Sequence, residues 1–147
     1  MKLLCTRNNI KDALQLAERF TGKNLTLPIL GNILLEAEDK KVRCVATNLE
    51  IGVEIAVSCK VIKEGSVTIP GKVINTLLQS IDDEAVTLEE KDNTLTVKTD
   101  SSNFSIQGIS PKDFPILPKI KKGREFSISS QELKNALGQV APAVAAS

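Results

Sequence analysis

The sequence predicts an α+β fold in which a unit of one strand, one helix and three strands occurs twice and then begins a third time. Three stretches, residues 2–15, 66–79 and 125–138, superpose without gaps, and each reads as an alternating strand followed by an amphipathic helix. Pro70 and Ser129 stand where the second and third helices should begin, as suits residues at helix starts. The repetition therefore predicts two similar helices packed side by side on antiparallel sheets.

Three strands are expected after each of the first two helices. Polar, strand-breaking turns separate them, among them Asp39-Lys40 and Lys91-Asp92-Asn93. The expected strands cover residues 29–37, 42–47, 51–60, 85–90, 94–99 and 103–109.

The segment 110–124 is expected to connect two domains. It holds three of the six prolines and then four basic residues, a composition typical of a connector. We therefore expect one domain at 1–124, including the connector, and the start of a second at 125–147. The third repeat stops inside its unit, so we expect the chain to be a fragment of a longer protein, with 125–147 poorly ordered or docked opportunistically.

Composition excludes several classes of function. The chain has 147 residues, with 19 basic and 18 acidic side chains and a net charge of +1, so a protein whose whole surface is cationic is excluded. Histidine is absent, which excludes a Ser-His-Asp nucleophile, His-ligated zinc and an imidazole proton shuttle. The sequence offers no cofactor motif, and we expect neither a cofactor nor a metal.

The cysteines and the apolar runs bear on the compartment. Cys5, Cys44 and Cys59 are odd in number and lie in apolar, strand-like contexts, which predicts buried or half-buried reduced thiols in a cytosolic protein. The chain turns polar at Thr6, too early for a signal peptide, and has no apolar run of 18 residues. We therefore expect a cytoplasmic protein that does not span a membrane.

The two helices each have one apolar and one polar face. The apolar positions expected to be buried are Ile10, Ala13, Leu14, Ala17 and Phe20 in the first helix, and Val73, Ile74, Leu77, Leu78 and Ile81 at the second. The positions expected to face outward are Lys11, Gln15 and Arg19, then Lys72, Asn75, Thr76 and Gln79. These two faces predict a shared polar surface; an ordinary solvated helix face is the alternative.

Residues with catalytic or ligand-binding chemistry give weaker signals. Three consecutive acids, Asp82 to Glu84, lack the spaced ligands and turn glycine of a calcium loop and suggest a solvated turn. No glycine-rich stretch matches a nucleotide-binding motif. From residues alone, the chain is therefore interpreted as a non-enzymatic α+β peptide- or protein-binding module, with a small enzyme lacking positive support.

Five colinear motifs carry a resemblance to a known family. Thr26-Leu-Pro-Ile-Leu-Gly-Asn-Ile-Leu-Leu35, Ala46-Thr-Asn-Leu-Glu-Ile51, Val67-Thr-Ile-Pro-Gly-Lys72, Phe104-Ser-Ile106 and Asp113-Phe-Pro115 resemble the N-terminal domain of the bacterial sliding clamp, the DNA polymerase III beta subunit. The resemblance covers essentially the whole chain. It implies the DNA clamp fold: two strand-helix-three-strand repeats with two helices packed on antiparallel sheets.

The resemblance also implies a function and partners. A clamp is a processivity factor that encircles duplex DNA as a ring and tethers the replicative polymerase, without catalysis of its own. When full length it is a homodimer, and it binds DNA polymerase III subunits and the clamp loader through domains that this chain lacks. The positions implied to contact DNA are Lys11, Gln15, Arg19, Lys23, Asn24, Lys72, Asn75 and Gln79.

A dimer contact is implied as well. In the family, the first domain meets the third domain of the partner subunit through an edge strand and the adjacent helix. The matching positions here are Val73, Asn103, Phe104, Ser105 and Ile106. Phe104 and Ile106 lie on one side of the expected strand, so ordinary core packing is the alternative for that pair.

Overall fold

Two antiparallel sheets and two helices make up the larger part of the fold. The computed structural model describes residues 1–22, 26–118, 123 and 125–144. The elements of the larger unit, Met1–Leu117, are β1 (Lys2–Thr6), α1 (Arg7–Glu18), β2 (Asn32–Glu38), β3 (Lys41–Thr47), β4 (Gly52–Val57), β5 (Cys59–Lys63), β6 (Gly65–Pro70), α2 (Gly71–Ser80), β7 (Ala85–Lys91), β8 (Thr94–Lys98) and β9 (Asn103–Gln107). Single turns of 3-10 helix lie at Pro28–Gly31 and Pro111–Asp113.

The two repeats exchange their first strands. One sheet has the order β5-β1-β7-β8-β9 and the other the order β4-β3-β2-β6. Strand β1 therefore pairs with β7 of the second repeat, and β6 pairs with β2 of the first. Each repeat completes the sheet of the other, which confirms the predicted repeat and ties both halves into one core.

Alternation along the strands sends aliphatic side chains into that core. In β1, Leu3 and Cys5 are buried while Leu4 is exposed. Leu3 lies opposite Leu88 of β7 and Val61 of β5. Burying a leucine side chain of this kind contributes about 1.5–3 kcal/mol. The core is almost entirely aliphatic, as the scarcity of aromatic residues requires.

The turns between strands follow the predicted chemistry. Asp39 and Lys40 between β2 and β3 both have positive φ, and so do Asp92 and Asn93 between β7 and β8. Two successive residues with positive φ form the hairpin turn that matches the twist of antiparallel strands. Asp and Asn accept this conformation more readily than other non-glycine residues, which explains the turn composition.

Two strand predictions need correction. The strand expected from residue 29 begins at Asn32, because Pro28–Gly31 first forms a 3-10 turn. The strand expected at 51–60 divides at Ser58 into β4 and β5, which belong to different sheets. The chain crosses from one sheet to the other at this residue, a change of partner that alternation alone does not reveal.

The smaller unit, Pro118–Ser147, contains α3 (Ser130–Val140) and a 3-10 turn at Ala141–Ala143. Ser129 caps α3 by accepting a hydrogen bond from the Glu132 N–H at 3.3 Å, as expected for this position. The strand expected before it is absent: among the described residues, 125–129 have no strand partner. The apolar residues of α3 are exposed. None of the helices in the described ranges is long and apolar enough to cross a membrane.

The cysteines differ from the expectation of three reduced thiols. Cys5 of β1 and Cys59 of β5 lie directly opposite each other, with Cα atoms 4.6 Å apart, and form a disulfide. Cys44 is the free cysteine, and burial raises the pKa of its thiol to about 12. The sequence separation of Cys5 and Cys59 hid their pairing, because the register of β1 on β5 is set only in the folded sheet.

We predict that native protein purified without reductant shows no reactive thiol to a thiol reagent at pH 8. Cys44 is protonated and buried, and the other two sulfurs are joined. Unfolding without reductant should expose one thiol, and unfolding with prior reduction should expose three. Cys44→Ala should lower both counts by one. Three thiols in the unfolded, unreduced protein would contradict the disulfide.

Gly108 permits a close approach between the end of β9 and strand β6. A Cβ at residue 108 would lie 2.0 Å from the Thr68 carbonyl oxygen and 2.9 Å from that of Asn93. The next residue, Ile109, donates its N–H to the Thr68 oxygen at 3.2 Å, so this contact covers the outer edge of β6. A side chain at residue 108 would push these backbones apart.

We therefore predict that Gly108→Ala lowers the free energy of unfolding by roughly 2–4 kcal/mol in urea denaturation. Gly31→Ala is the matched control, because the nearest atom to its added Cβ is at 3.7 Å, an ordinary contact. The control should change stability by less than about 1 kcal/mol. Equal effects of the two substitutions would show that the approach to Thr68 is not the constraint.

Candidate nucleic-acid interface

The two helices pack against each other in antiparallel directions. Near one end, Asn75 Nδ2 donates to the Leu14 carbonyl oxygen at 3.2 Å. Near the other, Arg7 donates through Nη1 to the Ile81 carbonyl oxygen, just past the end of α2. Because early residues of α1 meet late residues of α2 and the reverse, the repeat relation brings both helices onto one shared surface.

Helix α2 obtains its end charges from α1. It has no side-chain cap, no acid in its first turn and no base in its last turn. The Glu18 side chain lies beside its first residue, with Cγ 3.4 Å from where a Cβ on Gly71 would stand. The Arg7 guanidinium lies at the opposite end. An anion at the start and a cation at the end of a helix each stabilise it by roughly 0.3–1 kcal/mol.

Sequence reasoning missed the roles of Arg7 and Glu18. Their signal is visible in retrospect, because α2 lacks its own caps while α1 begins and ends with opposite charges. Reading that signal requires knowing that the helices are antiparallel, which the sequence does not state. The two side chains fix the helix pair from both ends.

The polar face contains five of the expected residues. Lys11 and Gln15 are half-buried, whereas Arg19, Lys72 and Gln79 are exposed. At 100° per residue, Lys11 and Gln15 lie on the side of α1 that adjoins α2, and Lys72 and Gln79 lie on the facing side of α2. We call the surface formed by Lys11, Gln15, Arg19, Lys72 and Gln79 the helix-pair surface.

The cations of the helix-pair surface are not paired with acidic side chains of the described residues. Within the described residues, Lys11, Arg19 and Lys72 form no salt bridge. The acids of α1 are Asp12, which is exposed, and Glu18, which is half-buried. The surface is therefore mildly cationic and rich in amides, although the chain as a whole is nearly neutral.

Two expectations about α2 are wrong. Asn75 was expected to face outward but is 3% exposed, and Val73 was expected to be buried but is 50% exposed. Gly71 and Leu78, four residues before Asn75 and three after it, are both buried, so helical spacing places Asn75 on the inner face. The apolar side chain of Val73 suggested the buried face of α2, but its position around the helix places it on the exposed face. Asn75 therefore does not belong to the helix-pair surface.

The chain after α1 is anchored by hydrogen bonds to backbone carbonyl oxygens. Thr21 Oγ1 donates to the Glu18 carbonyl oxygen at 2.7 Å, and the Gly22 N–H donates to the Leu30 carbonyl oxygen at 2.8 Å. Lys23 and Asn24, the two expected DNA-contacting positions that follow, lie outside the described residues.

Strand β9 forms one edge of its sheet. Asn103 and Ser105 are exposed, so both are available to a neighbouring chain. Ile106 is only 7% exposed and lies opposite Leu95, while Phe104 is half-buried against the core. The apolar pair therefore packs largely inside the domain, which corrects the expectation that Ile106 is available as an interface side chain.

Three side chains that line one cavity are already paired. A cavity of about 530 Å³ beside β3 and β4 contains Arg43, Glu54 and Cys59. The hydrogen bonds that Arg43 donates to Glu54 and Glu36 raise the pKa of Arg43, and Cys59 is in the disulfide. In the described part of the chain, no three Cys, Asp or Glu residues stand close enough together to hold a metal ion.

Fold and surface together define a class of protein. Two strand-helix-three-strand units that exchange first strands and pair their helices form an α+β domain of the clamp type. Residues 1–118 match the family described as DNA polymerase III beta subunit, N-terminal domain, and the chain belongs to that family.

Relatives and solved structures agree with this assignment. The beta sliding clamps of Synechococcus elongatus and of a Synechocystis strain are 29% and 30% identical to this chain over 93% of its length. The structure of the DNA polymerase III beta subunit from Thermotoga maritima matches with a TM-score of 0.83 and 27% identity, over 92% of this chain and 37% of that one. The predicted clamp fold is confirmed. The chain spans 37% and 41% of the lengths of the two curated relatives.

Proposed function

We propose that this chain is the first domain of a sliding clamp, a processivity factor that holds the replicative polymerase on duplex DNA. The observation that carries the proposal is the helix-pair surface, where three uncommitted cations and two amides lie on one side of a family clamp domain. The domain acts by binding and not by catalysis. The polymerase and the clamp loader bind elsewhere in the full-length subunit.

The chemistry of the helix-pair surface suits a sliding contact. Lysine and arginine neutralise phosphates without reading sequence, and amide side chains hydrogen-bond to phosphate oxygens. A surface with few cations binds weakly and exchanges phosphates rapidly. A ring that retains DNA by enclosing it needs no stronger contact, so a modest charge is compatible with the proposed role.

The sheet edges support head-to-tail assembly into a ring. By the repeat relation, β9 in one sheet is equivalent to β4 in the other, and both are outermost strands. At the opposite ends, β5 is the outermost strand beside β1 in one sheet, and in the other Ile109 bridges to Thr68 of β6. An open strand edge is a template for pairing with another chain. We propose that β9 joins the partner subunit through its backbone, Asn103 and Ser105, with exposed Val73 contributing from α2.

The topological claim has a direct test in the full-length subunit. Loaded onto nicked circular DNA by its clamp loader, the dimer should co-elute with the circle and be lost when the circle is cut once. Retention that is equal on circular and linear DNA would exclude enclosure. A monomer without retention would favour a peptide- or protein-binding module.

We predict that Lys72→Glu and Arg19→Glu each weaken binding of this 147-residue chain to duplex DNA. Loss of one phosphate contact should reduce the slope of log K against log salt by about one and lower affinity at low salt on the order of tenfold. Fluorescence anisotropy of a labelled duplex measures both quantities.

Lys60→Glu is the matched control for these reversals. Lys60 is an exposed residue of β5, outside the helix-pair surface, and its reversal changes the net charge by the same amount. Its effect on the salt slope should be small. If all three variants lose the same affinity, binding follows net charge alone and the proposed surface is wrong.

A further inference from the structure

Glu18 is an acidic residue at the border of a cationic surface, and its carboxylate is held by a neighbour. Asn75 Nδ2 donates a hydrogen bond to Glu18 Oε2. The same Nδ2 donates to the Leu14 carbonyl oxygen at 3.2 Å. The Asn75 side-chain amide of α2 therefore donates to two groups of α1: a backbone carbonyl and the side-chain carboxylate of Glu18, the last residue of that helix.

The surroundings of Glu18 favour this inward position. Its side chain runs beside the first residue of α2, with Cγ 3.4 Å from where a Cβ on Gly71 would stand. The start of α2 carries no other acid and no side-chain cap, so it attracts a negative charge. The half-buried carboxylate is thus held at the start of α2 by the Asn75 amide.

A released carboxylate would lie beside the cations of the helix-pair surface. Lys72 follows Gly71 and Arg19 follows Glu18, so the antiparallel pairing keeps all four residues at one end of the two helices. A free Glu18 could neutralise Lys72 or repel phosphate. Either effect would remove about one unit of charge from a surface that has only three cations.

The burial of Asn75 lowers the stability of the fold if its role is only structural. Its Oδ1 atom is buried and has no hydrogen-bond partner within the described structure. An unpaired buried polar atom is destabilising, and an apolar residue of similar size would avoid the loss. An amide at this position has a purpose if its donor group performs a task that an apolar side chain cannot.

We infer that Asn75 is a positioning residue for DNA binding: its amide holds the Glu18 carboxylate against the start of α2 and so keeps Lys72 free for phosphate. The inference rests on the proposed function of the helix-pair surface. It assigns Asn75 a role through Glu18, and not the direct DNA contact expected from the sequence.

A double-mutant cycle tests the inference by duplex binding across a range of salt. Asn75→Ala should weaken binding about fivefold to tenfold at low salt and reduce the salt slope by about one, because the freed carboxylate neutralises one cation. Glu18→Gln should bind at least as tightly as the unmodified chain. In the Glu18→Gln background, Asn75→Ala should have no further effect on affinity or slope.

A second pair of variants avoids the buried site. Glu18→Asp shortens the side chain by one methylene and takes its carboxylate out of reach of Asn75, so it should weaken DNA binding as Asn75→Ala does. Glu18→Gln keeps the length and can still accept from Nδ2. If Asn75→Ala weakens binding equally with Glu or Gln at position 18, or if Glu18→Asp binds normally, the positioning role is wrong.

Urea unfolding of the same four cycle members, without DNA, separates this inference from the proposed function. A coupling between Asn75 and Glu18 in stability, together with no salt-dependent binding by the unmodified chain, would overturn the proposed DNA role and leave only a structural link. Normal DNA binding with zero coupling would overturn the positioning role alone.

Discussion

The exchange of first strands between the two repeats is the constraint on which the rest of the structure depends. Because β1 belongs to the sheet of β7–β9 and β6 to that of β2–β4, neither repeat can complete its sheet without the other. Each of these strands leads directly into a helix, so the exchange also brings α1 and α2 together. The surface chemistry of the helices is thus a consequence of strand pairing between sequence-distant segments.

The contact between the two helices determines where several of their charged side chains lie. Arg7 and Glu18 of α1 supply the charges that the ends of α2 lack, and Asn75 returns a hydrogen bond to α1. These contacts draw one cation and one anion inward. The two charges cancel, so the net charge of the remaining side chains is unchanged, but Glu18 at the border of the polar face is held by Asn75.

The repeat made much of the architecture predictable, since equivalent positions share periodicity. Hairpin turns such as Asp92-Asn93 could also be predicted, because Asp and Asn adopt positive φ more readily than most residues. Features that depend on which distant segments meet could not be predicted: the division at Ser58 and the pairing of Cys5 with Cys59. The 3-10 turn before β2 was also missed, although it is a local feature. In α2, the errors at Asn75 and Val73 came from ranking polarity above helical spacing.

Asn75 shows why a polar residue on a helix should be assigned by its angle before its chemistry. An asparagine between buried Gly71 and Leu78 must either find partners inside or remain unsatisfied, and its amide finds two while its oxygen finds none. The cost of such a half-satisfied group is consistent with the proposed task of its donor, which is to hold the Glu18 carboxylate. On a surface that must bind phosphate weakly, control of one carboxylate matters, because so few cations remain to balance it.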